Sequence, residues 1–366
     1  MIDYKTEKTE RIEGFMTRHL IDFIDITPEE FDGLYYLFED IMHSPHDYRD
    51  EARGKVCANL FYEPSTRTNL SFQTAMLRLG GSVIGFSDPS SSSVAKGESL
   101  KDTIAMMSNY ADAIVIRNPM EGAARAASLY SRVPVINAGD GGHLHPTQTL
   151  ADLCTIRMHL GKFEGLNVGL CGDLKNGRTV HSLIKALVRY PDVNFILISP
   201  EELKIPDYVR HFMDIHNQKY IEVCDLHDVI DNLDVLYMTR IQRERFTCPN
   251  EYDRLKNAYV LERSMLKNAR EQMLILHPLP RVDEISVDVD DDPRAFYFAQ
   301  ARYGMYMRMA LLTGMLRHRA AEPAPVPIGG CKCSNPKCVT QSELYLPPLT
   351  HEIDGITYCS YCDKQI

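Results

Sequence analysis

The chain has 366 residues, 44% of them hydrophobic, and a formal net charge of −10. That length is enough for two or three domains with real cores. The acidic balance argues against nucleic acid as a partner, since phosphate contacts need a basic surface. No apolar run reaches the ~18 residues of a membrane span, and the polar start, Met1-Ile2-Asp3-Tyr4-Lys5, lacks a signal-peptide core; the expectation is a cytoplasmic chain with no membrane contact.

In chain order, Pro28–Met42 reads as the opening helix. Val56, Ala58, Leu60 and Phe61 then read as a short buried strand, broken by Pro64, after which Ser65 is a good helix N-cap. The helix runs on through Leu70, Phe72, Met76, Leu77 and Leu79, at spacings that keep one face apolar. Its N-terminus brings Ser65, Thr66, Arg67 and Thr68 together with unpaired backbone N–H groups and the positive end of the helix dipole. That combination suits a phosphate-like dianion. Taken alone, such hydroxyls are most often plain caps.

Four further segments set polar groups beside buried strands. Ser90–Ser99 is a serine-rich loop with Lys96, leading into a helix over Leu100–Tyr110. Ile114-Val115-Ile116-Arg117 is a β-branched strand ending in an arginine. Asn137–Thr149 is a Gly-rich loop after a strand at Val133–Ile136, and carries His145 and Gln148. Leu274–Leu276 is a strand ended by His277-Pro278-Leu279-Pro280-Arg281. Three of these place polar groups at strand carboxyl ends, where open parallel sheets hold ligands. The serine loop precedes its helix as a lid would.

Strand and helix signals alternate, as in helix-covered parallel sheets. A helix from about Thr147 to Leu160 bridges to a second α/β unit. That unit has strands at Leu166–Cys171, Asn194–Ile198, Val235–Met238 and Met273–Leu276, and a helix at Thr179–Arg189. The loop Gly172–Gly177 lacks the G-x-G-x-x-G pattern of a dinucleotide site. The acidic stretch Asp283–Asp292 reads as a solvated loop, and Gln300–Arg317 as the last helix.

After Arg319 comes a Pro-rich, semi-rigid stretch to Gly330. Cys333-x4-Cys338 and Cys359-x2-Cys362 follow, two pairs separated by 20 residues. That spacing is a strong signal for a tetrahedral zinc site, with Cys333, Cys338, Cys359 and Cys362 as ligands. Disulfides are a poor alternative in a reducing compartment. Cys331 is a spare or competing ligand, and Cys57, Cys154, Cys171, Cys224 and Cys248 read as scattered core or loop thiols.

From roughly Ile21 to Leu316 the chain resembles the aspartate carbamoyltransferase catalytic chains. The motifs are Ser65–Thr68, Ser92–Glu98, His145–Gln148, Gly172–Ser182, Tyr237–Gln242 and His277–Arg281. The resemblance implies an α/β fold of two doubly wound parallel-sheet domains, followed here by a small β-rich zinc-ribbon-like domain. Its divisions would be 1–148 with a return helix at 300–318 for carbamoyl phosphate, 149–299 for aspartate, a linker at 319–330 and a zinc domain at 331–366.

The implied reaction moves the carbamoyl group of carbamoyl phosphate to L-aspartate, giving N-carbamoyl-L-aspartate and phosphate, a step of pyrimidine biosynthesis, with no organic cofactor. By resemblance, Ser65, Thr66, Arg67 and Thr68 hold the phosphate, and Arg67 also steadies the leaving oxygen. Thr68, Arg117 and His145 surround the carbonyl oxygen, His145 as a hydrogen-bond donor. Gln148 and the main-chain carbonyls of Pro278 and Leu279 accept from the carbamoyl NH₂. Arg178 takes the α-carboxylate of aspartate and Arg240 the side-chain carboxylate, with Gln242 assisting and Leu279 nearby. Bidentate forks explain arginine in preference to lysine. Ser92 and Lys96 complete a neighbouring subunit's site in a homotrimer.

The nearest rival, ornithine carbamoyltransferase, typically carries H-C-L-P where this chain has His277-Pro278-Leu279-Pro280, and two arginines would repel its cationic acceptor. The tail resembles the zinc domain of the aspartate carbamoyltransferase regulatory chain. About a dozen residues separate it from the last catalytic helix, too few for a nucleotide-binding effector domain. Its expected role is a structural staple that packs on catalytic chains, with further assembly through it open. A reading of a different class, an inert scaffold with a partner-binding ribbon, conflicts with the filled catalytic positions.

Overall fold

A computed structural model describes residues 19–241, 254–255, 259–317, 329–353 and 355–366. The chain divides into two compact units. One runs to Thr147 and resumes at Met305, and the other spans Gln148–Gly304. Gln242 and most of the Pro-rich stretch lie outside the described residues.

The first unit opens with α1 (Pro28–His43), started by a Thr27–Glu30 capping box with Pro28 at the first helical position. Its sheet comprises β1 (Val56–Phe61), β2 (Ser82–Phe86), β3 (Ala113–Asn118) and β4 (Val135–Asp140), in the order β2-β1-β3-β4 and wholly parallel. Between them run α2 (Thr66–Arg78), α3 (Leu100–Tyr110) and α4 (Ala123–Ser128). The chain steps from β1 outward to β2, then returns to β3 on the other flank of β1. The topological switch therefore lies between β1 and β3, where open α/β sheets bind ligands.

Strand β4 starts two residues later and runs four residues further than the Val133–Ile136 expected, because a bulge between Ile116 and Asn118 lets the β3 ladder continue to Asp140. The serine loop is ordered into two 3₁₀ turns, Pro89–Ser91 and Ser93–Lys96, the second closed by Gly97 at φ +90°.

The second unit contains β5 (Asn167–Cys171), α6 (Arg178–Leu187), β6 (Asn194–Ile198), α7 (Asp207–Ile215), β7 (Lys219–Val223), β8 (Val235–Met238) and β9 (Leu274–Leu276). α5 (Pro146–Leu160) begins in the first unit and α8 (Tyr297–Arg317) ends there. The sheet order is β7-β6-β5-β8-β9, all parallel, with its switch between β5 and β8.

The acidic stretch is not the solvated loop expected. Residues Val287–Asp291 form a 3₁₀ turn. Glu284 is buried against His277, Asp290 pairs with Arg281 and Tyr297, and Asp292 forks onto Arg294. Arg281 and Arg294, close in sequence, pair with Asp290 and Asp292, and His277 donates to Glu284, so these three carboxylates fold inward while Asp283, Asp288 and Asp291 stay exposed.

The tail belongs to the first unit. It carries an antiparallel hairpin, β10 (Thr350–Ile353) and β11 (Ile356–Cys359). Its Val339, Leu346, Tyr361 and four cysteines share one apolar cluster with Leu100, Ile104, Ala123, Ala124, Ala126 and Ala127. The tail thus packs on its own chain. Among the described residues, no helix is long and apolar enough to cross a membrane.

Candidate active site

The first half-site forms at the β1/β3 switch. Parallel pairing places Phe61 beside Arg117, and the N–H of Tyr62 donates to the Arg117 carbonyl at 2.8 Å. The loop into α2 therefore starts directly beside the arginine. Arg117 is not the surface charge that a strand-end arginine commonly is. Its side chain is 12% exposed, ion-paired to Glu63 at 2.8 Å, and donates to the Ala138 carbonyl at 3.3 Å. Glu63 was missed in the sequence, although an acid beside a hydroxyl-and-arginine helix start is an available signal.

Ser65 holds the N-cap position of α2, but its side chain makes no capping hydrogen bond, and the first turn carries no acidic residue. The plain-cap role of this hydroxyl is thus not what the structure shows. Thr66 and Arg67 are exposed, and Ser65 and Thr68 half-buried. Beneath them, the buried Asn59 amide donates to Asn69 at 3.0 Å and Gln73 to the same oxygen at 2.9 Å, which fixes the first turn of α2 on β1.

His145, 5% exposed, ends the loop after β4, its Nδ1 3.5 Å from the Thr147 hydroxyl. Asp140, 2% exposed, shapes this loop by accepting from the N–H groups of Gly122 (2.7 Å) and Leu144 (3.1 Å) and from Asn137 (3.1 Å). It also faces the His143 Nδ1 at 3.0 Å. Burial would lower the His143 pKa, but Asp140 and Asp363 outweigh it and raise it to about 10. Ser92 is tied into its own turn through Pro89 and Val94, and Lys96 is exposed.

The second unit has its own cluster at the β5/β8 switch. Arg178, half-buried, is the first residue of α6, after β5; Arg240, also half-buried, follows β8. Two guanidinium groups beyond adjacent strand ends can hold a dicarboxylate. Asp173, fully buried, accepts from the backbone and side-chain amide of Asn176 and so shapes the turn before Arg178.

After β9, Leu279 adopts φ +53°, a left-handed conformation that leucine seldom takes, and the Leu279–Pro280 peptide is cis. The Leu279 N–H donates to His277 Nδ1 at 2.7 Å, so the ring proton sits on Nε2 and goes to Glu284 Oε1 at 2.7 Å. Burial opposes ionisation of Glu284, yet the bond from His277 wins and holds its pKa below the usual value.

This turn is joined to Gln148 through the buried Asp152. One Asp152 oxygen accepts from Gln148 (2.8 Å) and Gln300 (2.6 Å), the other from Tyr237 (3.0 Å), while Gln300 accepts the His277 N–H at 3.0 Å. With its NH₂ engaged, Gln148 keeps its amide oxygen as the acceptor for a ligand's N–H. Sequence reasoning missed Asp152. A Gln–Asp pair spaced i,i+4 on the bridging helix was its signal.

The sulfurs of Cys333, Cys338, Cys359 and Cys362 lie within 4.8 Å of one another, and these residues could hold a metal ion. Cys333–Cys362 and Cys338–Cys359 separations are 3.6 and 3.9 Å. Tetrahedral ligands at a Zn–S length of 2.3 Å stand about 3.8 Å apart. Hydrogen bonds from Cys359 and Cys362 push the Cys338 thiol down and hold the two donating thiols up. Asn335 and Thr340 donate to Cys362 and Cys338 at 3.4 and 3.2 Å, as outer partners of bound thiolates do. Cys331 is exposed and outside the cluster.

Known proteins share this two-domain chain. The aspartate carbamoyltransferase catalytic subunit of Clostridium perfringens is 59% identical over 300 residues, 82% of this chain and 98% of that one. The catalytic subunit of M. jannaschii aspartate transcarbamoylase superposes with a TM-score of 0.77 at 48% identity, covering 82% of this chain and 98% of that chain. The Trypanosoma cruzi aspartate transcarbamoylase, solved with carbamoyl phosphate and aspartate, gives 0.77 at 36% identity, covering 83% and 98%. Residues 18–158 match the aspartate/ornithine carbamoyltransferase carbamoyl-P binding domain, and residues 164–315 the Asp/Orn binding domain. The chain belongs to the aspartate/ornithine carbamoyltransferase family.

Proposed function

We propose that this chain transfers the carbamoyl group of carbamoyl phosphate to L-aspartate, as the catalytic step of an aspartate carbamoyltransferase in pyrimidine synthesis. The observation that carries the reading is the pairing of Arg178 and Arg240 beyond adjacent strands, which suits an acceptor with two carboxylates and opposes a cationic one. The relatives named aspartate carbamoyltransferase support it.

In the reaction, the aspartate amine attacks the carbamoyl carbon, the carbon–oxygen bond to phosphate breaks, and phosphate leaves with that electron pair. The nitrogen must lose a proton, and the departing phosphate is a base strong enough to take it. The N-terminus of α2, with Ser65, Thr66, Arg67 and Thr68, binds the phosphate and stabilises its growing charge. Thr68, Arg117 and His145 donate to the carbonyl oxygen as it becomes an oxyanion. Gln148 and the carbonyls of Pro278 and Leu279 accept from the carbamoyl NH₂. Holding both reactants in line supplies much of the acceleration.

Purified protein is expected to form carbamoyl-aspartate and to leave ornithine unchanged. Arg240→Ala should raise the aspartate KM by roughly ten- to a hundredfold, the size of a lost charged hydrogen-bond pair. Comparable turnover of ornithine would remove the reading.

The tail is proposed as a fused zinc domain like that of the regulatory chain, with one structural zinc per chain on Cys333, Cys338, Cys359 and Cys362. When bound, the ion would cross-link the two cysteine pairs and supply folding free energy. Metal analysis should find one zinc per chain, released by Cys338→Ser. With no effector domain ahead of it, ATP or CTP titration should show no saturable inhibition away from the active site.

We further place the chain in the cytoplasm as a homotrimer, with Ser92 and Lys96 acting on the adjacent subunit. The exposure of Lys96 supports that assignment. Mixing inactive Lys96→Ala and inactive Arg67→Ala chains, dissociated and reassociated, should restore part of the activity. Failure to do so would place Lys96 in its own chain's site.

A further inference from the structure

Three segments of the first unit carry Arg117, His145 and Lys96, and the tail grips each of them close by.

The first grip follows β3. Glu121, 5% exposed, donates its N–H to the Lys337 carbonyl at 2.8 Å and accepts at its own carbonyl from Val339 at 2.9 Å. Its carboxylate accepts from the Asn335 side-chain amide at 2.8 Å, and that same nitrogen lies 3.4 Å from the Cys362 sulfur. One amide thus joins a metal-ligand sulfur to the segment that follows Arg117. The approach is close: a Cβ on Gly122, at φ +84°, would stand 2.6 Å from the Tyr361 carbonyl oxygen.

The second grip is on the loop after β4. Asp363, next to Cys362, lies 3.1 Å from His143 Nε2, two residues before His145. The same imidazole bonds Asp140, which accepts from Gly122 and so joins the two grips.

The third is at the start of α3, four residues after Lys96. Glu343 accepts from the Leu100 N–H at 3.2 Å and the Tyr345 hydroxyl from the Lys101 N–H at 2.8 Å. The tail therefore caps the helix that follows the lysine loop, a favourable place for a carboxylate.

We infer that the metal-loaded tail is a positioning element for carbamoyl-phosphate binding, acting through Asn335 and Asp363 on the half-site of its own chain and through Glu343 on the lysine loop offered to the adjacent subunit. The inference rests on the carbamoyltransferase reading of that half-site. The physical reason is that a small cysteine module takes its fold from its metal. The geometry of Asn335 and of the Cys359–Asp363 turn then depends on loading. The acceptor arginines Arg178 and Arg240 belong to the second unit, so the effect is directed at one substrate.

The test uses full-length protein: wild type, Asn335→Ala/Asp363→Ala, Glu343→Ala, and wild type stripped of zinc and then reloaded. Carbamoyl phosphate and aspartate KM values are measured separately, with amide exchange of peptides covering 118–145 and the zinc content of each variant. The expected result is a rise of about three- to thirtyfold in carbamoyl phosphate KM for the double variant and the stripped protein. Aspartate KM should stay nearly constant, exchange at 118–145 should quicken, and reloading should reverse both changes in the stripped wild type. Glu343→Ala should raise the same KM through the lysine loop. Unchanged carbamoyl phosphate KM with quickened exchange would overturn the inference, as would unchanged exchange in the double variant. Wild type that shows no saturation by carbamoyl phosphate would instead remove the carbamoyltransferase reading.

Discussion

Arg67→Ala should lower kcat by on the order of a thousandfold, with protein stability almost unchanged. Arg67 is exposed on the first turn of α2, so its removal opens no cavity in the apolar core. Its proposed contribution is to a charge that grows only as the carbon–oxygen bond to phosphate breaks. A donor of that kind acts on the transition state more than on the bound substrate, so kcat falls further than KM rises. A charged, bidentate donor belongs at the upper end of the range for single oxyanion contacts. Arg67→Lys keeps the charge without the fork and should recover only a small part of the loss. Steady-state kinetics with both substrates varied, beside a thermal melt, checks this. A variant that loses affinity for carbamoyl phosphate at constant kcat would make Arg67 a ground-state anchor only.

Asp152→Ala should show the opposite balance, with large losses in both stability and rate. The carboxylate is fully buried and accepts from Gln148, Gln300 and Tyr237. Burial, and then the charge of Asp152, hold the Tyr237 phenol well above its ordinary pKa, so it stays a donor at any working pH. Removing the acceptor leaves the buried donors of Gln300 and Tyr237 unpaired, at roughly 1–3 kcal/mol each, and loosens the half-buried Gln148. The groups proposed as carbamoyl acceptors then lose their support. Gln148 is free to rotate its amide, and Gln300 no longer has a fixed oxygen for the His277 N–H, which steadies the turn carrying Pro278 and Leu279. Differential scanning calorimetry should show a melting midpoint lower by on the order of 10 °C, and kcat should fall on the order of a hundredfold. Asp152→Asn keeps the shape and one acceptor oxygen and should lose less on both counts. Wild-type kinetics in a destabilised Asp152→Ala protein would restrict the network to a structural role.

Much of this was legible in the residues. Pro64 ends β1 because it cannot donate to the ladder, and the hydroxyl cluster after it can only open a helix. The junction at Ser65–Thr68 therefore stood out without a structure. The helix at Leu100–Tyr110 and the strands Asn194–Ile198 and Val235–Met238 appear with the bounds their periodicity implied. The cysteine spacing likewise announced the cluster of four sulfurs.

What stayed hidden depends on contacts between residues far apart in the chain. Nothing near Glu63 in sequence names Arg117 as its partner, and Asn335 is 214 positions from Glu121. The edge strands β2 and β7 were not singled out. Their alternation is weak, since both faces are largely exposed. The acidic run at 283–292 was misread because charge density alone says water. The partners His277, Arg281 and Arg294 come from turns whose paths periodicity does not reveal.

The apolar cluster under the tail has one more consequence. Helix α4 is almost all alanine, and its buried face is completed by Tyr361, Val339 and the cysteines. Alanines cannot fill a gap by changing rotamer, so this surface is a fixed mould with one complementary cast. The tail, for its part, has little interior apart from its sulfurs and what it presses against that mould. Excised as a peptide, it would depend on its metal alone for its shape, and a chain cut after Arg317 would present a bare, flat, sticky patch. The two pieces are halves of one folding unit, and a chimera that grafts this tail elsewhere would have to carry α4 with it.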